Sequence, residues 1–355
     1  MVSDRASMDE VRAATGAIAG HLRSAMLVTM IDLGRQLGLF EALAAGAATA
    51  AELADRASCA ERPVMEWLGA VTTGGIVVLG EGGRFSLPPG MAEVLTGGGP
   101  GDLSRLAATP GTLAPLVSTV AAAFRTGDGV GYDAYRPAFA AMMDAQSRPT
   151  FDACLPDAYL AGAPAILERL RTSGGRVLDL GCGTGHATNV LAAALPLIDA
   201  VGVDLDADAI AAARAEATAM GLANARFEAV DVASVLAAGS FDLITAFDVI
   251  HDLPEPVGLV RAALDALAPG GVLIVVDVKA HTGIEHNLDH PMGPWMYGIS
   301  TMHCLQVSLA SGGPGLGACW GEERAVELLT EAGATTVDVG RAPADRANLI
   351  YTCRR

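Results

Sequence analysis

The run Val177-Leu178-Asp179-Leu180-Gly181-Cys182-Gly183-Thr184-Gly185 constrains this chain more than any other. Apolar residues around a single acid read as a buried strand, and the strand feeds straight into glycines at alternating positions. Glycines accept positive φ and carry no Cβ to hold a ligand away. A helix beginning near His186 would aim its unpaired N–H groups into the same space. A nucleotide-like pocket is the first expectation. The spacing is G-x-G-x-G rather than the G-x-G-x-x-G of dinucleotide enzymes, and an ordinary strand-to-helix turn satisfies it as well.

Further runs narrow the choice. Ala200-Val201-Gly202-Val203-Asp204 ends on an acid, where a carboxylate commonly holds a ribose diol. Arg226-Phe227-Glu228-Ala229-Val230-Asp231-Val232 closes on another acid, and Phe241-Asp242-Leu243-Ile244-Thr245-Ala246-Phe247-Asp248 reads as a fourth strand. A helical period follows over about residues 256–267, broken by Pro269-Gly270-Gly271 before a fifth strand, Val272-Leu273-Ile274-Val275-Val276-Asp277. Strands alternating with helices predict a doubly wound α/β fold with a parallel sheet. Its strand-end acids would line one crevice.

The glycine loop, Asp204, Asp231, the Phe-Asp pair of the fourth strand and the Pro-Gly-Gly before the fifth resemble class I S-adenosylmethionine-dependent methyltransferases over residues 171–355. The resemblance implies a mostly parallel seven-stranded sheet. It also implies that Asp204 lies at the ribose, Asp231 and Val232 at the adenine, and Asp179, Gly181, Gly183 and Gly185 at the methionine moiety, with Leu205 also in the cofactor site. Phe247 and Asp248 would complete the cofactor site. An acid-lined pocket repels pyrophosphate and attracts a sulfonium and an ammonium, so the charge pattern suits that cofactor.

The first hundred residues form a separate unit. Val11, Ile18, Leu22, Met26, Met30, Leu33 and Leu37 recur at helical spacing. Two short helices are expected over 49–54 and 61–71 and a β-hairpin over 74–87, which is the order of a winged helix. The formal net charge of −17 and the acids Glu52 and Asp55 argue against nucleic acid, whose affinity rests on phosphate neutralisation. The arrangement resembles the N-terminal dimerisation domain of small-molecule O-methyltransferases, which implies a homodimer.

Residues 101–170 read as a helical connector, with helices over 103–120, interrupted at Pro110 or Pro115, and over 139–143. Between them Gly127-Asp128-Gly129-Val130-Gly131-Tyr132-Asp133-Ala134-Tyr135 is either a surface turn or a lid whose tyrosines approach the cofactor or acceptor. Gly, Pro and charges interrupt each apolar run before the ~20 residues that a membrane span needs. No signal-peptide pattern opens the chain. Six cysteines without a CxxC pair suit a reducing cytoplasm.

The chemistry centres on Val249-Ile250-His251-Asp252-Leu253-Pro254, beyond the fourth strand. Methyl transfer to a hydroxyl needs alignment and a proton acceptor, and histidine is the side chain whose ordinary pKa lies near neutrality. The segment resembles the His-Asp pair of plant-type O-methyltransferases, which implies that His251 is the general base, although Leu253 replaces their tryptophan. A histidine that caps the next helix or bonds a carbonyl is the other reading.

A long insertion over residues 280–320 carries the acceptor wall, with Trp295 and Met302 alongside Tyr132 and Tyr135 as substrate contacts. His303 is the second catalytic candidate. The segment His303-Cys304-Leu305-Gln306-Val307-Ser308-Leu309-Ala310 with Trp320-Gly321-Glu322 resembles a mycobacterial and actinobacterial subgroup of methyltransferases. His281, His286, His290 and Cys304 match no common metal-ligand spacing, so no metal is expected.

The expected protein is therefore a methyltransferase moving a methyl group from S-adenosylmethionine to a small apolar or aromatic acceptor. An S-adenosylmethionine-sensing winged-helix regulator and an NAD(P)-dependent oxidoreductase are the alternatives.

Overall fold

A computed structural model of the chain describes residues 6–236 and 240–355. The chain divides into two compact units, Met1–Thr112 and Leu113–Arg355.

In the first unit, helix α1 (Met8–Gln36) starts from a reciprocal cap in which the Ser7 hydroxyl accepts from Glu10 N–H and Glu10 returns the bond to Ser7 N–H. α2 (Leu39–Ala44), α3 (Ala50–Arg56) and α4 (Glu61–Thr73) follow. Thr49 and Glu52 repeat the capping box at α3. A minimal antiparallel hairpin, β1 (Val78–Leu79) and β2 (Phe85–Ser86), and α5 (Pro89–Thr96) complete the winged-helix order. Phe40, Leu53, Trp67, Leu68 and Val71 fill its core, and Trp67 donates its indole N–H to Met30 O at 2.9 Å. Met8, Val11, Ile18, Leu22, Met26, Leu33 and Leu37 of α1 and its C-cap remain exposed.

The connector expected over 101–170 is shared between the units. Leu103 N–H bonds Val94 O at 2.8 Å, which draws the segment before residue 113 onto the first unit. Helical structure over Ser104–Thr126 is broken into a 3₁₀ turn, α6 (Ala108–Leu113), a second 3₁₀ turn and α7 (Val117–Thr126), since Pro110 and Pro115 lack the N–H that an uninterrupted helix uses. By length and composition alone this stretch is long and apolar enough to cross a membrane, and Pro110, Gly111 and Pro115 interrupt it. The helix expected over 139–143 extends much further, as α8 (Ala138–Cys154), and passes through Pro149.

The second unit holds the seven-stranded sheet. After α9 (Pro164–Ser173) come β3 (Gly175–Leu180), α10 (His186–Ala194), β4 (Ile198–Asp204), α11 (Ala207–Ala219), β5 (Ala225–Ala229), α12 (Val232–Leu236) and β6 (Phe241–Phe247). Then come α13 (Pro256–Asp265), β7 (Leu267–Val278), α14 (Gly293–Met302), α15 (Cys304–Ala310), α16 (Glu322–Glu331), β8 (Thr336–Gly340) and β9 (Asn348–Arg354). The spatial order is β5-β4-β3-β6-β7-β9-β8, parallel except where β9 runs antiparallel to β7 and β8. Chain order reverses direction between β3 and β6, so a crevice opens there beyond the strand carboxyl ends. Separate apolar clusters cover the two faces of the sheet. The six cysteines are free thiols.

Candidate active site

The glycine loop leaves β3 with Gly181, Gly183 and Gly185 all at positive φ, +64°, +53° and +76°. They are required for different reasons. A Cβ on Gly181 would meet Val249 Cγ2 at 2.6 Å, and one on Gly185 would meet Phe227 Cε1 at 2.6 Å, whereas one on Gly183 would point into open space. Gly183 is therefore where backbone stands bare toward the crevice.

Asp204 fixes that loop. Its carboxylate accepts from Gly183 N–H at 2.9 Å and from Asp206 N–H at 2.8 Å. Leu205, beside it, exposes its side chain. Asp206 caps α11 and pairs with Arg136 at 3.0 Å; burial opposes its charge, but the Ala209 N–H and Arg136 outweigh that and hold its carboxyl below the usual range. Asp231 ends the turn after β5, exposed and bonded by Ala233 N–H, with Val232 half-buried next to it. Asp179 lies beneath the loop with each oxygen taken, by Thr188 and Thr245 hydroxyls at 2.7 Å, and burial pushes it up to about 6. Phe247 packs against Phe151 and Tyr159, and Asp248 is held at φ +53° with Oδ1 buried and, among the described residues, without a hydrogen-bond partner. Burial and the Asp277 carboxylate raise Asp248 well above the ordinary carboxylate range.

His251 sits in a 3₁₀ turn directly beyond β6 and is only 3% exposed. Among the described residues its side chain neither caps a helix nor bonds a carbonyl. Its Nδ1 lies 2.8 and 3.0 Å from the two oxygens of Asp277, which is 0% exposed near the end of β7. Nε2 faces Asp252 Oδ1 at 3.5 Å. Burial disfavours the imidazolium, but Asp277 and then Asp252 outweigh it and hold His251 well above the usual histidine range. Sequence reading had not assigned a role to Asp277, although it closes the fifth apolar run just as Asp204 closes the second. The signal was present in the pattern of acids at strand ends.

The glycine-rich segment over residues 127–135 packs onto the insertion. Gly129 has φ +70°, and a Cβ there would strike Gln306 O and Ala310 N of α15, so only glycine allows this approach. Tyr135 donates to Met302 O at 2.6 Å, and its ring stands near-perpendicular to that of His303, 4.6 Å between centroids. Tyr132 lies 6.0 Å from His303. Burial of its hydroxyl and the nearby Asp204 and Asp206 carboxylates push Tyr132 up to about 12. Phe139, which sequence reading did not single out, stacks flat on His303 at 3.7 Å. Trp295 is half-buried on α14 and lies two turns before Met302 on the same helix face. Tyr132, Tyr135, Met302 and His303 thus come together.

The histidines of the insertion do not gather around Cys304. His281 pairs with Glu323 at 2.8 Å, His286 is exposed, and His290 Nδ1 accepts from Met292 N–H. Cys304 instead faces His251 and Asp252, with their ligating atoms all within 4.8 Å. A shallow depression bordered by Ile166, Arg169, Gly270 and Arg354 lies at the amino end of β7, away from these residues.

Comparison with known proteins agrees with the two units. Residues 171–333 match the family model described as a methyltransferase domain, and residues 25–97 match an Rv2258c-like winged HTH domain. A ubiquinone biosynthesis O-methyltransferase of Xanthomonas axonopodis pv. citri is 32% identical over 31% of this chain and 46% of its own length. A trans-aconitate 2-methyltransferase of Deinococcus radiodurans is 38% identical over 32% of this chain and 42% of its own. The chain thus spans less than half the length of these curated relatives. Among solved structures, a candidate O-methyltransferase from Nostoc punctiforme superposes with a TM-score of 0.71 at 19% identity, covering 96% of this chain and 98% of that one. The mitomycin 7-O-methyltransferase MmcR gives 0.67 at 19%, covering 98% of this chain and 100% of that one. At these identities the likeness is one of fold. Residues 171–333 are thus similar to the methyltransferase-domain family, and residues 25–97 before them to Rv2258c-like winged HTH domains.

Proposed function

We propose that this chain transfers a methyl group from S-adenosylmethionine to a hydroxyl of a small aromatic acceptor, with His251 taking the hydroxyl proton. The buried His251–Asp277 pair carries the reading, because it places an oriented proton acceptor beside the crevice that the glycine loop opens. The residues suit the cofactor: Gly183 offers bare backbone, and Asp204 and Asp231 stand at adjacent strand ends as hydroxyl and amine acceptors. When bound, the cofactor supplies an electrophilic methyl on a sulfonium.

The protein's part is orientation and proton movement. Asp277 fixes the imidazole through Nδ1, leaving Nε2 to receive the acceptor proton once it has lost its own. Tyr132, Tyr135 and Phe139 wall the acceptor side and exclude water. Calorimetric binding of S-adenosylhomocysteine, followed by a screen of phenols for S-adenosylhomocysteine release, tests the proposal. A folded protein that binds no S-adenosylhomocysteine refutes it.

The exposed apolar face of α1 supports a homodimer formed through the first unit, since so long a stripe is otherwise left to water. A DNA-binding regulator is disfavoured by the arginines of that unit: Arg84 pairs with Glu52, Arg35 with Asp32, and Arg56 donates to the Ala42 and Gly46 carbonyls. A cytoplasmic location agrees with the free thiols.

A further inference from the structure

One buried polar side chain beside the crevice has no partner. His303 is 4% exposed, and both Nδ1 and Nε2 are buried without a hydrogen bond among the described residues. Burying an imidazole with both nitrogens unmet costs free energy that an apolar residue would avoid. The surrounding packing is otherwise well made. Phe139 covers one face of the ring at 3.7 Å and 15°, and Tyr135 meets it edge-on at 4.6 Å. Stacking leaves the nitrogen-bearing edge of the ring as the part still to be satisfied.

The position of the residue gives that edge a purpose. His303 is the junction of α14 and α15 with φ −134° and ψ −77°: its N–H bonds Ile299 O and its C=O accepts from Val307 N–H, so its backbone is satisfied and only the ring lacks a partner among the described residues. Its neighbour Cys304 already faces His251 and Asp252. On the other side Tyr132 reaches from the ring of His303 toward the field of Asp204 and Asp206. His303 therefore stands on the acceptor side of the crevice, near the proton acceptor but not hydrogen-bonded to it. Burial and the neighbouring His251 charge push its pKa down to about 3, which keeps the ring neutral, with one nitrogen a donor and the other an acceptor.

We infer that His303 recognises the acceptor by hydrogen-bonding a second oxygen substituent held beside the hydroxyl that His251 deprotonates, so that the chain selects dioxygenated aromatic rings over singly hydroxylated ones. The inference rests on the methyltransferase reading above. A site built to bond a polar group discriminates against the analogue that lacks it, because the site's own buried group is then left unpaired.

The test uses the full chain saturated with S-adenosylhomocysteine, and 2,3-dihydroxynaphthalene and 2-naphthol as calorimetric probes. The wild type is expected to bind the diol about tenfold more tightly than the mono-ol. His303→Phe keeps a ring against Phe139 and should bring the two affinities within about twofold of each other. His303→Gln, which offers a donor and an acceptor again, should restore part of the preference. Unchanged S-adenosylhomocysteine affinity in both variants reports an intact site. Equal affinities in the wild type, a preference that survives His303→Phe, or binding of neither probe overturns the inference while leaving the cofactor reading standing. Failure to bind S-adenosylhomocysteine overturns the cofactor reading and this inference with it.

Discussion

Replacing His251 by leucine should abolish catalysis and also destabilise the fold, and the two effects can be separated. Asp277 is fully buried, and its donors are His251 Nδ1 at 2.8 Å and the Val278 N–H at 2.8 Å. Without the imidazole the carboxylate is stranded, which costs about 3–5 kcal/mol. At roughly 2–4 °C per kcal/mol for a domain of this size, Tm should fall by about 6–20 °C. Turnover should fall about 10²-fold or more, while S-adenosylhomocysteine affinity stays near that of the wild type. The double variant His251→Leu with Asp277→Asn removes the stranded charge and should recover at least half of the lost Tm, but none of the turnover.

Asp277→Asn alone probes the proton. The charges in this pair attract by on the order of 4 kcal/mol at ~4 Å and an effective dielectric of ~20. Because Asp277 helps hold the imidazolium above the usual histidine range, wild-type turnover should rise as pH rises through that raised value, and in Asp277→Asn the rise should move to lower pH by at least about one unit. The linkage has the matching sign. Stabilisation from the pair is fully present below the unfolded histidine value and is lost as pH rises through the folded one. The assay is S-adenosylhomocysteine release across pH, with differential scanning calorimetry alongside. Normal turnover in His251→Leu, or an unmoved pH profile in Asp277→Asn, refutes the assignment.

If Asp204 holds the ribose as proposed, Asp204→Ala should weaken S-adenosylmethionine binding at least about tenfold by calorimetry, since it also removes the bond that holds Gly183 N–H. Gly183→Ala and Gly185→Ala each incur about 1–2 kcal/mol of left-handed backbone strain. Only Gly185→Ala also drives a methyl into Ala213 and Phe227, so it should lower Tm further, whereas Gly183→Ala should act chiefly on S-adenosylhomocysteine affinity. Leu22→Asp with Met26→Asp, on the exposed face of α1, should convert a dimer to a monomer by light scattering with little change in cofactor affinity; a wild type already monomeric at micromolar concentration removes the dimer proposal.

Much of the glycine loop and its strand-end acids was legible along the chain because the signals are local. Glycines at alternating positions and acids that close apolar runs are set by a strand and its following turn, and those residues are neighbours in sequence. Helix starts such as Thr49 with Glu52 were local too, since a cap is complete within four residues. The reasons behind the glycines were less visible. That Gly185 yields to Phe227 and Gly129 to Gln306 depends on which elements pack against each loop.

The acceptor side belongs to the tertiary structure. His251 was readable as a candidate base, but nothing in the spacing identifies Asp277, 26 residues later, as its partner. That pairing follows from β6 and β7 lying side by side in parallel, so that the turn after one strand meets the end of the other. Likewise Phe139 and His303 meet only because α8 and the junction of α14 and α15 converge, which leaves an imidazole buried without a partner. Sequence determined which residues could do chemistry at each strand end. Sheet order and packing decided which of them touch, because contacts between distant segments are fixed by the burial of whole faces, and no local pattern records them.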